Sequence, residues 1–288
     1  YHGWSDWYLA ANLTENDALD GHLLPGLQPN GVPRGLLGTA LPFPSNDTSA
    51  LDELIRGRED QIAAIVIEPA RGELAPPGFL AHLRNRAAEI GAVLVFDEIT
   101  SGFRKCAGGM HRLFDVKPDV AVFAKSMANG YPMAAVIGSA RTMDAAQDTF
   151  ISSTNWTERI GPTAALATVN KYLRENVQDH LVTIGQHFCS SMASSLPSGW
   201  QISFSGLSSL VSYQIRNPDY QQMEAGLSVA MLERGFLASS QFKPSAAHTN
   251  SVVDGFVTAT KEVLMENPSI TNSGVLPRTQ GFTSLTPE

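Results

Sequence analysis

The stretch Ala92-Val93-Leu94-Val95-Phe96-Asp97 decides the fold, because an unbroken apolar run ends there on an acidic residue. A strand that is apolar at every position is buried on both faces, which is typical of a parallel sheet covered by helices. Similar runs occur at residues 62–67 and 120–123. A helical pattern at residues 77–91 separates the run at residues 62–67 from the one that begins at Ala92. The sequence therefore predicts an α/β fold with a mostly parallel sheet.

The pattern changes in the second half of the chain. Apolar residues recur every three or four positions from residue 162 to Met192, which predicts one long helix able to bridge two domains. Strand-like runs follow at residues 200–204 and 210–215, with helical patterns near residues 223–234 and 252–265. We therefore expect a large domain at residues 1–175 and a smaller C-terminal α+β domain at residues 176–288.

Composition argues against several classes of function. The 288 residues carry 20 basic and 28 acidic side chains, a net charge of −8 that gives no general attraction for nucleic acid or an anionic membrane. The only cysteines, Cys106 and Cys189, are too few for a disulfide framework or a cysteine metal site. No apolar run reaches the ~18 residues that cross a bilayer. We expect a cytoplasmic protein with no metal, nucleic-acid or membrane partner.

Ionisable residues follow each of the three predicted strands, namely Glu68, Asp97 and Lys125. Ligands bind outside the carboxyl ends of the strands in an open parallel sheet, so these side chains are candidate site residues. Each alone has a structural explanation, such as capping a helix or reaching solvent. A desolvated lysine can form an imine with a carbonyl, and a carboxylate can keep a ring nitrogen protonated. This pair is what pyridoxal phosphate requires.

Longer motifs surround these residues, and these motifs indicate a protein family. In chain order they are Tyr1-His2-Gly3, Ile67-Glu68-Pro69, Phe96-Asp97-Glu98-Ile99-Thr100-Ser101-Gly102-Phe103-Arg104 and Phe123-Ala124-Lys125-Ser126-Met127-Ala128-Asn129-Gly130-Tyr131-Pro132-Met133. Together they resemble the class III, fold-type I aminotransferases that use pyridoxal 5'-phosphate, and most closely the branch similar to glutamate-1-semialdehyde aminomutase. The resemblance runs from Tyr1 to about Phe256.

The resemblance implies a role for several residues around the cofactor. Lys125 would form the Schiff base and move the proton between substrate and cofactor, and Asp97 would pair with the ring nitrogen. Ile99, expected on the same side of an extended strand as Asp97, would press on one face of the ring. Tyr1 would stack on the other face, with His2 helping to shape the approach.

Further residues have roles at the edge of this site. Thr154 would reach the cofactor phosphate from the neighbouring subunit, with Thr157 as the alternative, and a nearby helix start would suit an anion. Glu68 would support the active-site strands. Glu73 would lie near the substrate entrance or be a solvated loop carboxylate. Arg104 is expected to be structural, whereas two histidines without a visible partner are left out, namely His111 and His248.

The implied activity is amino transfer, either between a small-molecule amino donor and a carbonyl acceptor or within one substrate. The implied assembly is a homodimer with its site at the interface. Members of the family carry a Gly-Ser-rich phosphate-binding turn upstream of the Tyr-His-Gly motif, so the chain is expected to lack an N-terminal portion. Two alternatives remain open, namely a decarboxylase or racemase with the same cofactor and a catalytically silent truncated fragment.

Overall fold

The computed structural model describes residues 2–3, 34–70, 74–152, 157–217 and 224–266. The chain divides into two compact units, residues 1–58 with 274–288 and residues 59–273. The described part of the first unit contains helix α1 (Thr48–Ile55), whose first turn is capped by Asp47 accepting the N–H of Ala50 at 3.0 Å. Both sheets lie in the second unit.

The first sheet consists of β1 (Ala64–Ile67), β2 (Val93–Asp97), β3 (Val120–Phe123) and β4 (Ala135–Gly138), in that order. Strands β1, β2 and β3 are parallel, which confirms the predicted α/β fold with its mostly parallel sheet. Strand β4 pairs antiparallel with β3, and the sequence did not predict it. Its Val136 and Ile137 are exposed, so it lacks the buried apolar pattern that identified the others.

Helix α2 (Phe79–Glu89) connects β1 to β2 as predicted, and the short α3 (Ala140–Asp144) follows β4. The predicted long helix is wrong, because two helices replace it: α4 (Ile160–Arg174) and α5 (Val177–Ser195). Asn176 separates them with a φ of 53°, a left-handed conformation that asparagine adopts more readily than most residues and that ends an α-helix. The domain boundary between residues 175 and 176 stays a prediction.

The second sheet confirms the predicted strands of the C-terminal half. It orders β5 (Gln201–Leu207), β6 (Leu210–Arg216) and β7 (Gln241–Phe242), all antiparallel. Helices α6 (Glu224–Glu233) and α7 (Asn250–Glu266) complete this region. Its core joins Phe188 of α5 to Tyr213 of β6 and Val257 of α7. No helix in the described ranges has both the length and the apolar character to cross a bilayer.

Replacing Gly185 with alanine is expected to destabilise the protein by about 3 kcal/mol, because a Cβ there would lie 1.6 Å from the carbonyl oxygen of Ser208. Gly185 thus sets how closely α5 approaches the turn between β5 and β6. Urea unfolding measures the loss. The matched control is Gly255→Ala on α7, whose Cβ would meet only Phe236 at 3.7 Å. It should leave stability unchanged or raise it by up to about 1 kcal/mol. Equal stability of the two variants would contradict the packing described.

Candidate active site

The first sheet brings the ends of its parallel strands to one edge. Glu68 directly follows β1, Asp97 is the last residue of β2, and Lys125 comes two residues after β3. Register fixes the alignment, since Ile67 pairs with Phe96 and Asp97 pairs with Val122. All three side chains therefore belong to the carboxyl edge, where ligands bind in open α/β sheets.

Lys125 lies at the start of a 3-10 turn (Lys125–Met127) and has a φ of 47°. Left-handed backbone is strained for a side chain of this size, and such strain concentrates at functional sites. Its Nζ donates a hydrogen bond to the Thr100 Oγ1 at 2.9 Å. The sequence-based argument assumed a desolvated lysine, but Lys125 is exposed, because it stands beyond the end of β3 on this turn.

Asp97 is buried, with 5% of its surface exposed. Its Oδ1 accepts the backbone N–H of Ile99 at 3.0 Å, which turns the chain immediately after β2. The expected placement of Ile99 on an extended strand with Asp97 is therefore wrong, since β2 ends at Asp97. Contact of Ile99 with a ring stays a prediction.

Glu98 is a buried residue at this edge that sequence reasoning did not single out. Its side chain is fully buried, and three groups hold its carboxylate: the Ser101 hydroxyl at 2.5 Å, the His111 backbone N–H at 3.0 Å and the His111 Nδ1 at 2.9 Å. Burial raises the pKa of Glu98, but these hydrogen bonds outweigh it and hold the pKa below its ordinary value. Its adjacency to Asp97 was the available signal, and His111 had been passed over because its partner is distant in sequence.

The backbone of Glu98 is held as firmly as its side chain. Its N–H donates to Val122 on β3 at 2.9 Å, and its carbonyl accepts the N–H of Gly102 at 2.8 Å. A Cβ at Gly102 would lie 2.7 Å from that carbonyl oxygen and 2.8 Å from the Phe123 ring, so only glycine fits. The tight turn carries Thr100, and it thereby positions the hydroxyl that holds Lys125.

Residues 103–109 form the loop that supports this turn. The Phe103 ring packs edge-on against Phe123 at 6.0 Å and against Tyr172 at 5.6 Å. The Tyr172 hydroxyl donates to the carbonyl of Cys106 at 3.2 Å, and burial raises the pKa of Tyr172. Arg104 Nε donates to the Thr100 carbonyl at 3.4 Å, a contact that fits the structural role expected for it.

The other predicted residues have mixed outcomes. Glu68 is half-buried at the end of β1, while His2 belongs to the first compact unit, so the roles of both stay predictions.

Thr157 is exposed, and the helix start beyond it is already occupied by a carboxylate: Glu158 accepts the N–H groups of Ile160 and, at 3.0 Å, of Gly161. A carboxylate of the chain itself thus already accepts two N–H groups of this helix start, and binding of the cofactor phosphate there stays a prediction. Three predicted residues lie outside the described residues, namely Tyr1, Glu73 and Thr154.

The side chains at this edge fit pyridoxal phosphate in their chemistry. Lys125 presents an accessible amine held by one hydroxyl, which suits binding to an aldehyde carbon. Asp97 presents a buried carboxylate on the neighbouring strand, which suits a protonated ring nitrogen. Within the described residues there is no group of three side chains suited to binding a metal ion.

Comparison with known sequences adds a family and several relatives. The family model "Aminotransferase class-III" matches residues 38–203. A 3-aminobutyryl-CoA aminotransferase from Cloacimonas acidaminovorans is 32% identical over 72% of this chain and 48% of its own length. A glutamate-1-semialdehyde 2,1-aminomutase from Clostridium botulinum is 30% identical over 91% of this chain and 66% of its own length. The chain thus spans about half to two thirds of these relatives.

Solved structures show the same fold. An omega-transaminase from Sphaerobacter thermophilus aligns with a TM-score of 0.77 at 24% identity, over 93% of this chain and 67% of its own. A transaminase with PLP bound aligns with a TM-score of 0.75 at 23% identity, over 92% of this chain and 65% of its own. The fold-type I architecture implied by the sequence motifs is confirmed.

Proposed function

Since the chain belongs to the class III aminotransferase family, we propose that the protein transfers amino groups with pyridoxal phosphate as its cofactor. The observation that carries this proposal is that Asp97 and Lys125 stand at the carboxyl ends of neighbouring parallel strands. The family match includes both residues. In this arrangement the amine can bind the aldehyde carbon of a pyridine aldehyde, and the buried carboxylate can interact with its ring nitrogen.

Each side chain has a defined task. Pyridoxal phosphate, when bound, supplies a ring that withdraws electrons from the carbon bearing the amino group. Lys125 would hold the cofactor at its aldehyde carbon through Nζ, with the aldehyde oxygen leaving as water, and the same Nζ would move a proton once the substrate amine has displaced it. Thr100 Oγ1 accepts from Nζ and orients it before binding. Asp97 holds a proton on the ring nitrogen, and its burial keeps water from screening that charge.

The substrates follow from the family in general terms. They are a small-molecule amino donor and a carbonyl acceptor, or one substrate that carries both groups as in an aminomutase. The proposal includes a homodimer, with Thr154 of one subunit reaching the cofactor phosphate of the other. The proposal also places the protein in the cytoplasm, which is supported by Cys106 and Cys189, both unpaired thiols.

A half-reaction tests the proposal. The protein loaded with pyridoxal phosphate is mixed with a panel of amines, and cofactor absorbance and extracted cofactor are followed. A suitable amine should convert the cofactor stoichiometrically to its pyridoxamine form and release the matching carbonyl compound. Release of carbon dioxide, or inversion of the amine, with the cofactor still an aldehyde would instead establish the decarboxylase or racemase alternative. Failure of every amine to react with the bound cofactor would support the catalytically silent alternative.

A further inference from the structure

A fully buried carboxylate stands beside the candidate active site, and the proposed roles of Asp97 and Lys125 make no use of it. It belongs to Glu98, whose side chain has no exposed surface. Ser101 donates its hydroxyl to one oxygen of this carboxylate. The backbone N–H of His111 donates to the other oxygen, which also accepts from the Nδ1 of the same residue. Glu98 therefore binds the chain itself rather than a ligand.

A buried charge at this position needs an explanation, because an ionised carboxylate is costly to remove from water. The hydrogen bonds from Ser101 and His111 offset that cost, and they hold the pKa of Glu98 below its ordinary value. An apolar side chain would avoid the cost, but it would leave these two residues without their shared acceptor. What the carboxylate adds is one fixed arrangement of the two segments that it joins.

Glu98 holds a tight turn that carries Thr100. Its carboxylate accepts the hydroxyl of Ser101, and its carbonyl accepts the N–H of Gly102 at 2.8 Å. Both contacts close the turn just after Thr100, whose own hydroxyl accepts the Lys125 Nζ at 2.9 Å. The place of the hydroxyl that holds the amine thus depends on a side chain two residues earlier in the chain.

We propose that Glu98 is a positioning residue for the amine of Lys125. Its carboxylate holds Ser101, this keeps the Thr100 hydroxyl in place, and the hydroxyl orients Nζ for reaction with the aldehyde carbon of the cofactor. The inference rests on the proposed amino transfer and adds a residue that acts through its neighbours. A displacement of about 1 Å between reacting groups can cost about a hundredfold in rate. The rate at which Lys125 takes up the aldehyde should therefore depend on Glu98.

Uptake of pyridoxal phosphate in the absence of any amine tests this role. Nζ joins the aldehyde carbon with loss of water, and cofactor absorbance gives the rate. Ser101→Ala removes the hydroxyl that Glu98 holds, and it should slow uptake by about tenfold. Glu98→Gln should keep most of the rate, because the amide oxygen can still accept from His111 while the amide NH2 donates to Ser101. The matched control is Ser209→Ala, which should keep the full rate, since Ser209 is also fully buried but its hydroxyl has no partner among the described residues.

A double-mutant cycle tests whether the effect passes through Thr100. Thr100→Val removes the hydroxyl that orients the amine, so it should by itself slow uptake by about tenfold. Adding Ser101→Ala to Thr100→Val should then slow uptake no further. Multiplied effects in the double variant would overturn the inference, because Glu98 would then act on the site by another route. So would an uptake rate in Ser101→Ala equal to that in Ser209→Ala, even if urea unfolding shows a loss of stability, since Glu98 would then serve the fold alone.

Labelling without cofactor separates this inference from the proposed function. Acetic anhydride at limiting concentration acetylates free amines, and mass spectrometry gives the ratio of acetylation at Lys125 to that at the exposed Lys117. The hydrogen bond to Thr100 should protect Lys125, so the ratio should rise by about threefold in Ser101→Ala and stay constant in Ser209→Ala. If the unaltered protein takes up no pyridoxal phosphate, the proposed function fails, while this ratio still tests the positioning. An unchanged ratio in Ser101→Ala would overturn the inference.

Discussion

The Lys125→Ala variant is expected to lose amino transfer by about a thousandfold or more, which corresponds to about 4 kcal/mol of transition-state stabilisation. The side chain removed is the amine that Thr100 holds at the carboxyl edge, on a backbone strained to a φ of 47°. The variant should also lose the covalent link to the cofactor that borohydride reduction makes permanent. Single-turnover kinetics measures the first loss, and mass spectrometry of the reduced peptide measures the second.

The control for this variant is Lys117→Ala, which removes another exposed lysine on the segment before β3. It should retain both turnover and the borohydride-stable adduct. An adduct of the same stoichiometry in Lys125→Ala would assign the covalent link to a different amine and remove Lys125 from its proposed role.

The parallel part of the fold could be predicted because its signal is local. Strands buried on both faces must be apolar at each position, and β3 has the bounds expected from residues 120–123. The exposed edge strand β4 gives no such signal. The break between α4 and α5 was also missed, because apolar spacing continues across Asn176 while the backbone reverses hand at that single residue.

Prediction of the site was uneven for a physical reason. Asp97 and Lys125 stand at strand ends, so topology alone brings them to one edge. Glu98 is matched to His111 across 13 residues, a pairing that depends on how the intervening loop folds. Ile99 was misplaced because a hydrogen bond from its own N–H to Asp97 ends the strand early.

The Asp97→Asn variant is expected to bind cofactor but to turn over about a hundredfold to ten-thousandfold more slowly, a loss of about 3–5 kcal/mol. Asparagine keeps an oxygen that can accept the N–H of Ile99, which Asp97 accepts at 3.0 Å, so the turn after β2 should survive. What it loses is the negative charge that, in the proposed role, would keep the ring nitrogen protonated. Because Asp97 is only 5% exposed, water cannot replace that charge.

Three measurements separate this role from a general loss of structure in Asp97→Asn. Cofactor titration should give an affinity within about tenfold of the unaltered protein, whereas kcat at saturating amine should fall by the larger factor. Urea unfolding should show that the variant remains folded. Asp115→Asn is the matched control, since Asp115 is exposed and its φ of 52° is one that asparagine accepts readily. Turnover in Asp97→Asn equal to that of the control would show that the carboxylate is not needed to keep the ring nitrogen protonated, and Asp97 would then be a residue that only shapes the end of β2.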